Sequence, residues 1–315
     1  MTYKWKLSSL ALAAVGLIAV FLFANMIGNW DYVFPRRLLK VLAIVLTGGA
    51  IAFATMVFQT ITNNRILTPS IIGLDSLYML IQTFVIFAFG SMSVSVVNEE
   101  LNFVISVGVM MLFVVFLYRI MFKREGSNLY FLLLIGLVLG TLFGSMSTFM
   151  QVLIDPNEFL NVQDKMFASF NNINTDLLLF SVIGLVLIGL YSMRYMKYLD
   201  VLALGREHAV NLGIPYDRTV KRLLVIVAVL IAISTALVGP ITFLGLLVAN
   251  VAHQFLKTHK HRILIPGSML ISVIALVGGQ LLVERVFTFS TTLSVIINFI
   301  GGSYFLYLLL RENKS

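Results

Sequence analysis

Apolar runs of about 20 residues, the length that crosses a hydrocarbon core of about 30 Å, recur along the chain with polar segments between them. They fall at roughly 8–28, 38–60, 70–90, 101–121, 129–150, 175–196, 223–238, 241–256, 265–284 and 292–311. The pattern predicts an all-α polytopic membrane protein of about ten transmembrane helices, one domain over residues 1–315. The seventh and eighth runs are short, and only Gly239-Pro240 divides them. They read as a broken pair whose break is buried in protein or lines a cavity.

One polar and basic interruption, about 197–222, separates the sixth and seventh runs. Within it, LALGREHAVNLGIPYDRTVKR (Leu202 to Arg222) reads as two short helices. Leu202 to Leu212 holds helix formers, Gly213 suits the position just past a helix end, and Pro215 is a stop. Asp217 then caps a second short helix that runs through Arg218, Lys221 and Arg222 into the membrane. Such a stretch is either a solvated connector or an element that presses on another protein.

Composition supports the membrane assignment. The chain is 59% hydrophobic and 11% charged, against about 25% charged in a soluble protein. Its +8 balance comes from residues scattered between apolar runs, so it reports membrane orientation and not a nucleic-acid surface. The absence of cysteine excludes disulfides, thiol chemistry and Cys-ligated metals. Lys4 and Lys6 precede the first run as in a signal peptide, but no small-residue cleavage site precedes Asn29. An uncleaved first helix is expected.

With the N-terminus inside, the inner loops hold Lys4, Lys6, Arg65, Arg119, Lys123, Arg124, Arg194, Lys197, Arg206, Arg218, Lys221, Arg222, Lys257, Lys260, Arg262, Arg311 and Lys314. Only Arg36, Arg37, Lys40, Lys165 and Arg285 remain outside. A misplaced span would scramble this bias, so both termini are predicted to be cytoplasmic.

Few charges lie deep. Asp75 is an intramembrane carboxylate, and its place six residues after Pro69 favours a cap or first-turn role at a helix start near the inner surface. The four histidines (His208, His253, His259 and His261) fall in or beside inner loops, which argues against proton coupling. Gly136, Gly140 and Gly144 share one helix face suited to close packing. There is no phosphate-binding Gly-rich loop ending in Lys-Ser/Thr, no H-E-x-x-H and no G-x-S-x-G. The expectation is a transport protein and not an enzyme.

Three stretches carry a family resemblance. The first, Phe34 to Gly73, holds Pro35-Arg36, Gly48-Gly49, Gln59 and a turn through Asn64, Leu67, Pro69 and Gly73. The second is LALGREHAVNLGIP. The third is GPITFLGLLVANVAHQFLKTHKHRILIP, followed by IGGSYFLYLLL. Together they resemble the permease subunits of bacterial ABC importers for iron-siderophores, haem and vitamin B12. The chain departs from that pattern at Ala249-Asn250, at Thr291 to Ser294, at Ser303 and at Gln280. These departures look similar to a branch of permeases for catecholate siderophores in Gram-positive bacteria.

The resemblance implies a multi-pass permease of the bacterial cytoplasmic membrane that takes up ferric siderophore, with haem, cobalamin or a secondary transporter as alternatives. It implies a second permease chain, a different one or a copy, two ATPase subunits and an extracytoplasmic binding protein. Iron then enters as substrate, ATP-Mg acts on the ATPase partner, and this chain carries no cofactor and binds no nucleic acid. By the same resemblance, Leu204, Gly205, Arg206, Glu207, Ala209, Leu212 and Gly213 couple to the ATPase. Arg36, Arg37 and Arg285 either dock the binding protein or snorkel as anchors. Gln59, Asn64, Thr68 and Asn250 either line the pathway or form packed interhelical hydrogen bonds.

Overall fold

The computed structural model describes residues 3–24, 30–90, 98–121, 129–171 and 173–312. Lys123, Arg124 and Lys314, used above for orientation, lie outside the described residues. The described chain is helical: α1 (Tyr3–Phe23), α2 (Trp30–Thr62), a 3-10 turn (Pro69–Ile72), α3 (Leu74–Phe89), α4 (Glu99–Met121), α5 (Leu129–Leu153), α6 (Pro156–Met166) and α7 (Thr175–Met193). It continues as α8 (Met196–Leu202), α9 (Arg206–Asn211), α10 (Tyr216–Val238), α11 (Leu244–Leu256), α12 (His261–Arg285) and α13 (Leu293–Glu312). Among the described residues, α1, α2, α4, α5, α7, α10 and α12 are long and apolar enough to cross a membrane, and α3, α11 and α13 supply shorter apolar stretches. These match the ten predicted runs one for one.

Two boundaries differ from the sequence reading. α10 is not a short segment: it starts at Tyr216 and runs 23 residues to Val238. The predicted second short helix is its first part and runs into the membrane as expected, so the seventh span is longer than the run 223–238. Asp217 sits in its first turn and not at its cap, which is Pro215. The break after α10 is closed by protein. Val238 O accepts from Ser169 N at 2.8 Å, Gly239 adopts φ +96°, and a Cβ there would stand 3.0 Å from Ala168 Cα.

α6 had no counterpart among the predicted runs because its face is amphipathic and not apolar. Its signal was local: the Asp155 carboxylate accepts from Asn157 N at 2.8 Å, and Pro156 occupies the first helical position. Val162 then buries against Ile86 and Ile154.

α2, α10 and α12 are mostly buried and form the centre, whereas α1, α4, α5 and α7 are mostly exposed around it. α12 and α10 both pack along α2, α1 covers α12, α4 and α7 cover α10, and α5 covers α3. Small residues set the closest approaches. A Cβ on Gly48 would meet Leu276 and Ser272 of α12 at 2.8 Å. On α5, a Cβ on Gly136 would lie 2.8 Å from Ile71 O and Ile72 Cα, and one on Gly140 would lie 3.2 Å from Gly73 Cα. The glycine face of α5 is therefore the seat of the 3-10 turn. Gly144, the third predicted member, faces open space.

Side-chain hydrogen bonds tie the peripheral helices together. Gln82 Nε2 donates to Asn102 Oδ1 at 2.8 Å and to Ser106 Oγ at 2.9 Å, joining α3 to α4. Thr83 and Ser147 share a 2.8 Å bond between α3 and α5. Tyr118 OH donates to Leu224 O at 3.0 Å, joining α4 to α10. In an apolar surround these groups have no water to turn to, so the pairs are placed inside the bundle.

The glycine seat gives a direct test. Gly136→Val should lower stability by about 1–3 kcal/mol through overpacking against backbone that cannot yield, whereas Gly144→Ala should change it by less than about 0.5 kcal/mol. Thermal unfolding of the two variants in detergent measures the difference.

Candidate functional site

At one end of the bundle α8 and α9 fold across the ends of the spanning helices. The helix predicted from Leu202 is two helices, because Gly205 adopts φ +97°, a conformation that an L side chain resists. A Cβ at Gly205 would approach only Asn63 Nδ2, at 4.0 Å, so conformation and not space requires the glycine. Gly213, at φ +81°, ends α9: Gly213 N donates to Val210 O at 2.9 Å and Ile214 N to Ala209 O at 3.0 Å.

Ala209 is fully buried and anchors α9, while Leu204 and Leu212 leave 58% and 64% of their surface exposed. Arg206 and Glu207 are exposed as well. Arg206 holds Asp217 of α10 at 3.6 Å and lies 5.9 Å over the Tyr216 ring. Arg222 donates to Tyr195 OH at 3.0 Å, fixing α8 to α10.

A linkage that the sequence did not reveal fastens α8 to the centre. His261 Nδ1 faces Asp200 Oδ1 at 2.6 Å, the same carboxylate oxygen accepts from His261 N at 2.8 Å, and His261 Nε2 shares a 2.7 Å bond with Thr60 Oγ1. Asp200, His261 and Thr60 thus connect α8, α12 and α2. Burial works against the Asp200 charge, but the His261 backbone N–H and ring, with Lys260 nearby, outweigh it and hold the carboxyl below its usual range. A carboxylate depressed on folding contributes stability above its ordinary range and loses it as pH falls through the lowered value.

Inside the bundle, three of the four candidate pathway residues act on one stretch of backbone. Gln59 Nε2 and Asn250 Nδ2 both donate to Arg65 O, at 2.6 and 3.0 Å, and Asn64 Oδ1 accepts from Ile66 N at 2.9 Å. Gln59 and Asn250 are buried. They serve a loop that passes between α2 and α11, and satisfy its part-buried carbonyl. Thr68 differs: it precedes the 3-10 turn without capping it and lines a small polar cavity with Asp75. Asp75 lies in the first turn of α3, as predicted, but it caps nothing: the N-cap is Gly73. Nor does it lie near the α8–α9 end. It faces Thr235, three residues before the far end of α10, because the 63–73 loop re-enters the bundle before α3 begins.

At the opposite end, Arg37 Nη1 donates to Phe21 O, Leu22 O and Ala24 O at 2.9–3.1 Å, and Arg285 Nη2 donates to Ala24 O at 2.6 Å. Both guanidinium groups gather round the C-terminal end of α1, where carbonyls lack helical partners and the dipole favours a cation. Arg36 stacks 4.2 Å from the Tyr32 ring and is exposed. Beside them Lys40 pairs with Glu284 at 3.0 Å, and Gln280 Nε2 bridges Glu284 and Asn171 at 2.9 and 3.0 Å. Gln280 thus bridges two acceptors on this face, Glu284 and the Asn171 side-chain oxygen.

Residues 5–311 match the sequence profile of the FecCD transport family. The chain belongs to this family. It is 67% identical, over the full length of both chains, to the petrobactin import system permease protein YclO of Bacillus subtilis. It is 35% identical to the petrobactin import system permease protein FatC of Bacillus anthracis, over 89% of this chain and 79% of that protein. Relatives named for the same import systems, YclN and FatD, are 24% and 28% identical. A metal-chelate type ABC transporter solved in an inward-facing conformation shares the fold, with TM-score 0.86 and 21% identity over 98% of this chain and 99% of that one. This FecCD-family chain is a multi-pass membrane protein and a transport component, not an enzyme.

The Asp200–His261–Thr60 linkage predicts a pH signature. His261→Ala should cost about 0.5–1.5 kcal/mol at neutral pH, the loss of the ring's hydrogen bonds to Thr60 and to a half-exposed carboxylate. The gap from the parent should narrow once the pH falls below 3.8, the ordinary aspartate value. Thermal unfolding across pH reads both.

Proposed function

We propose that this chain is one permease subunit of an ABC importer that carries a ferric siderophore of the petrobactin kind across the bacterial cytoplasmic membrane. The observation that carries the reading is the 67% identity, with no part of either chain left over, to a petrobactin permease. The vitamin B12 permease BtuC of Vibrio cholerae is 25% identical, so cobalamin is a weaker reading. In Bacillus subtilis and in Bacillus anthracis two different permease proteins carry the same system's name. This supports a pair made of this chain and a second, different permease.

In this reading both termini and the α8–α9 end are cytoplasmic, and that end receives the ATPase pair, on which ATP-Mg acts. The exposed Leu204 and Leu212 offer apolar contact, Ala209 fixes α9 beneath them, and Arg206 and Glu207 set register. Gly205 and Gly213 shape the ends of α9. The opposite face receives the extracytoplasmic binding protein. Arg36 and Arg285 are exposed there and suit bidentate carboxylate contacts, while Arg37 holds the end of α1 beneath them. Gln59, Asn64 and Asn250 then support the pathway by fixing residues 64–66, and Thr68 contributes through the cavity that it lines with Asp75. Iron enters as the chelated substrate.

Uptake of radiolabelled iron–petrobactin in a deletion strain, restored by this chain, tests the substrate against hydroxamate, haem and cobalamin. Restored uptake of cobalamin or haem but not of iron–petrobactin overturns the reading. Gly205→Trp should abolish uptake while the protein still inserts. Arg36→Glu with Arg285→Glu should weaken binding-protein association at least about tenfold, and raised salt should weaken it in the parent. Affinity that is equal in both proteins and insensitive to salt would reduce these arginines to anchors.

A further inference from the structure

A small cavity lies where the 3-10 turn, α3, α10 and α11 meet, apart from the α8–α9 end and from the arginine face. Its polar lining is Thr55, Thr68, Ser70, Asp75, Thr235 and Thr242, and its volume is about 10 Å³, close to the space one water-sized sphere occupies. Asp75 supplies the single carboxylate. No basic side chain lines the cavity, and among the described residues none pairs with Asp75.

The oxygens there are underused. Asp75 Oδ1 accepts from Thr235 Oγ1 at a long 3.4 Å, and the Ser70 hydroxyl also bonds the carboxylate. Asp75 Oδ2 is buried with no partner, and so is Thr55 Oγ1. Thr55 is 1% exposed. Gly245, also in the lining, leaves that hydroxyl its place, since a Cβ there would collide with Thr55 Oγ1. Asp75 belongs to the first turn of α3, where the helix dipole favours the ionised carboxylate. When the carboxylate is ionised, its buried and unpaired oxygen calls for a positive partner.

We propose that this cavity binds one small monovalent cation, Na+ by size, through Asp75 and the surrounding hydroxyl oxygens. The donor set is oxygen only, which selects hard cations over the metals that favour nitrogen or sulfur. One negative charge neutralises a monovalent ion, whereas a divalent ion would keep an uncompensated charge in a low-dielectric site. The volume admits an ion stripped of its water shell. Backbone leaves the helical path on both sides: at Thr68, which is extended at φ −120° and ψ 158°, and between α10 and α11. Unwound backbone of this kind brings carbonyl oxygens to alkali ions in membrane transporters. A bound ion would tie the re-entrant turn and α3 to α10 and α11 at one point. The inference does not depend on which substrate the protein carries.

The test uses the full chain co-expressed with its transporter partners in lipid nanodiscs. Unfolding is followed in NaCl, KCl, LiCl and choline chloride at constant ionic strength. Na+ should raise the midpoint saturably by about 2–4 °C over choline, and Asp75→Asn should abolish the rise. Thr55→Ala, a milder change, should weaken the apparent Na+ affinity at least about threefold with the protein still folded. The 23Na NMR line should broaden with the parent and not with Asp75→Asn. Equal midpoints in all four salts overturn the proposal, as does an undiminished rise in Asp75→Asn. A midpoint that follows pH but ignores cation identity also overturns it, since the group is then a protonated carboxyl beside a water.

Discussion

Backbone that leaves the helical path inside an apolar bundle must find partners for its own carbonyls and amides, and residues 63–73 impose that demand on everything around them. Arg65 O takes hydrogen bonds from two helices, through Gln59 and Asn250. The next residues of the loop approach α5 so closely that a Cβ would collide at 136 and be crowded at 140. α3 begins after the loop has already entered the bundle, so 16 residues complete its course. Side-chain amides, glycine spacing and a shortened helix are thus consequences of one solvation problem.

The two ends of the molecule meet different physical requirements. At the α8–α9 end, apolar side chains are left uncovered on short helices whose own anchoring is thorough: Ala209 is buried, Tyr195 is tied to Arg222, and Asp200 is tied to His261. Rigid support thus lies beneath an exposed apolar surface. At the opposite end the charges are largely engaged with one another and with the end of α1. That face is preorganised, with little side-chain freedom left in its charged groups.

Much of this was legible in the sequence. Ten apolar runs gave ten apolar helices, since run length follows from bilayer thickness whatever the packing. The glycines at 136 and 140 announced a close contact, though not that backbone would fill it. Boundaries in the polar stretch were less readable. Pro215 looked like a stop for the helix before it, yet it also serves as the N-cap of the next helix, a place assigned to Asp217. Asp75 was assigned to a helix start correctly, but it lies inside the bundle between Thr55 and Thr235 and not near the surface, because sequence spacing does not reveal how deep a re-entrant loop goes. The His261 linkage joins residues 60, 200 and 261, and no local pattern marks three residues so far apart. Gln59 and Asn250 stood as pathway candidates on polarity alone, and their common partner is a carbonyl that every sequence contains.

The continuity of α10 carries a mechanical meaning. Its 23 residues make a rod of about 34 Å, gripped at one end by Arg206 through Asp217. Near the other end it meets Asp75 through Thr235. A rod without a hinge cannot absorb a tilt along its length. In the proposed reading, a push on α9 would reach the far wall of the bundle along this helix.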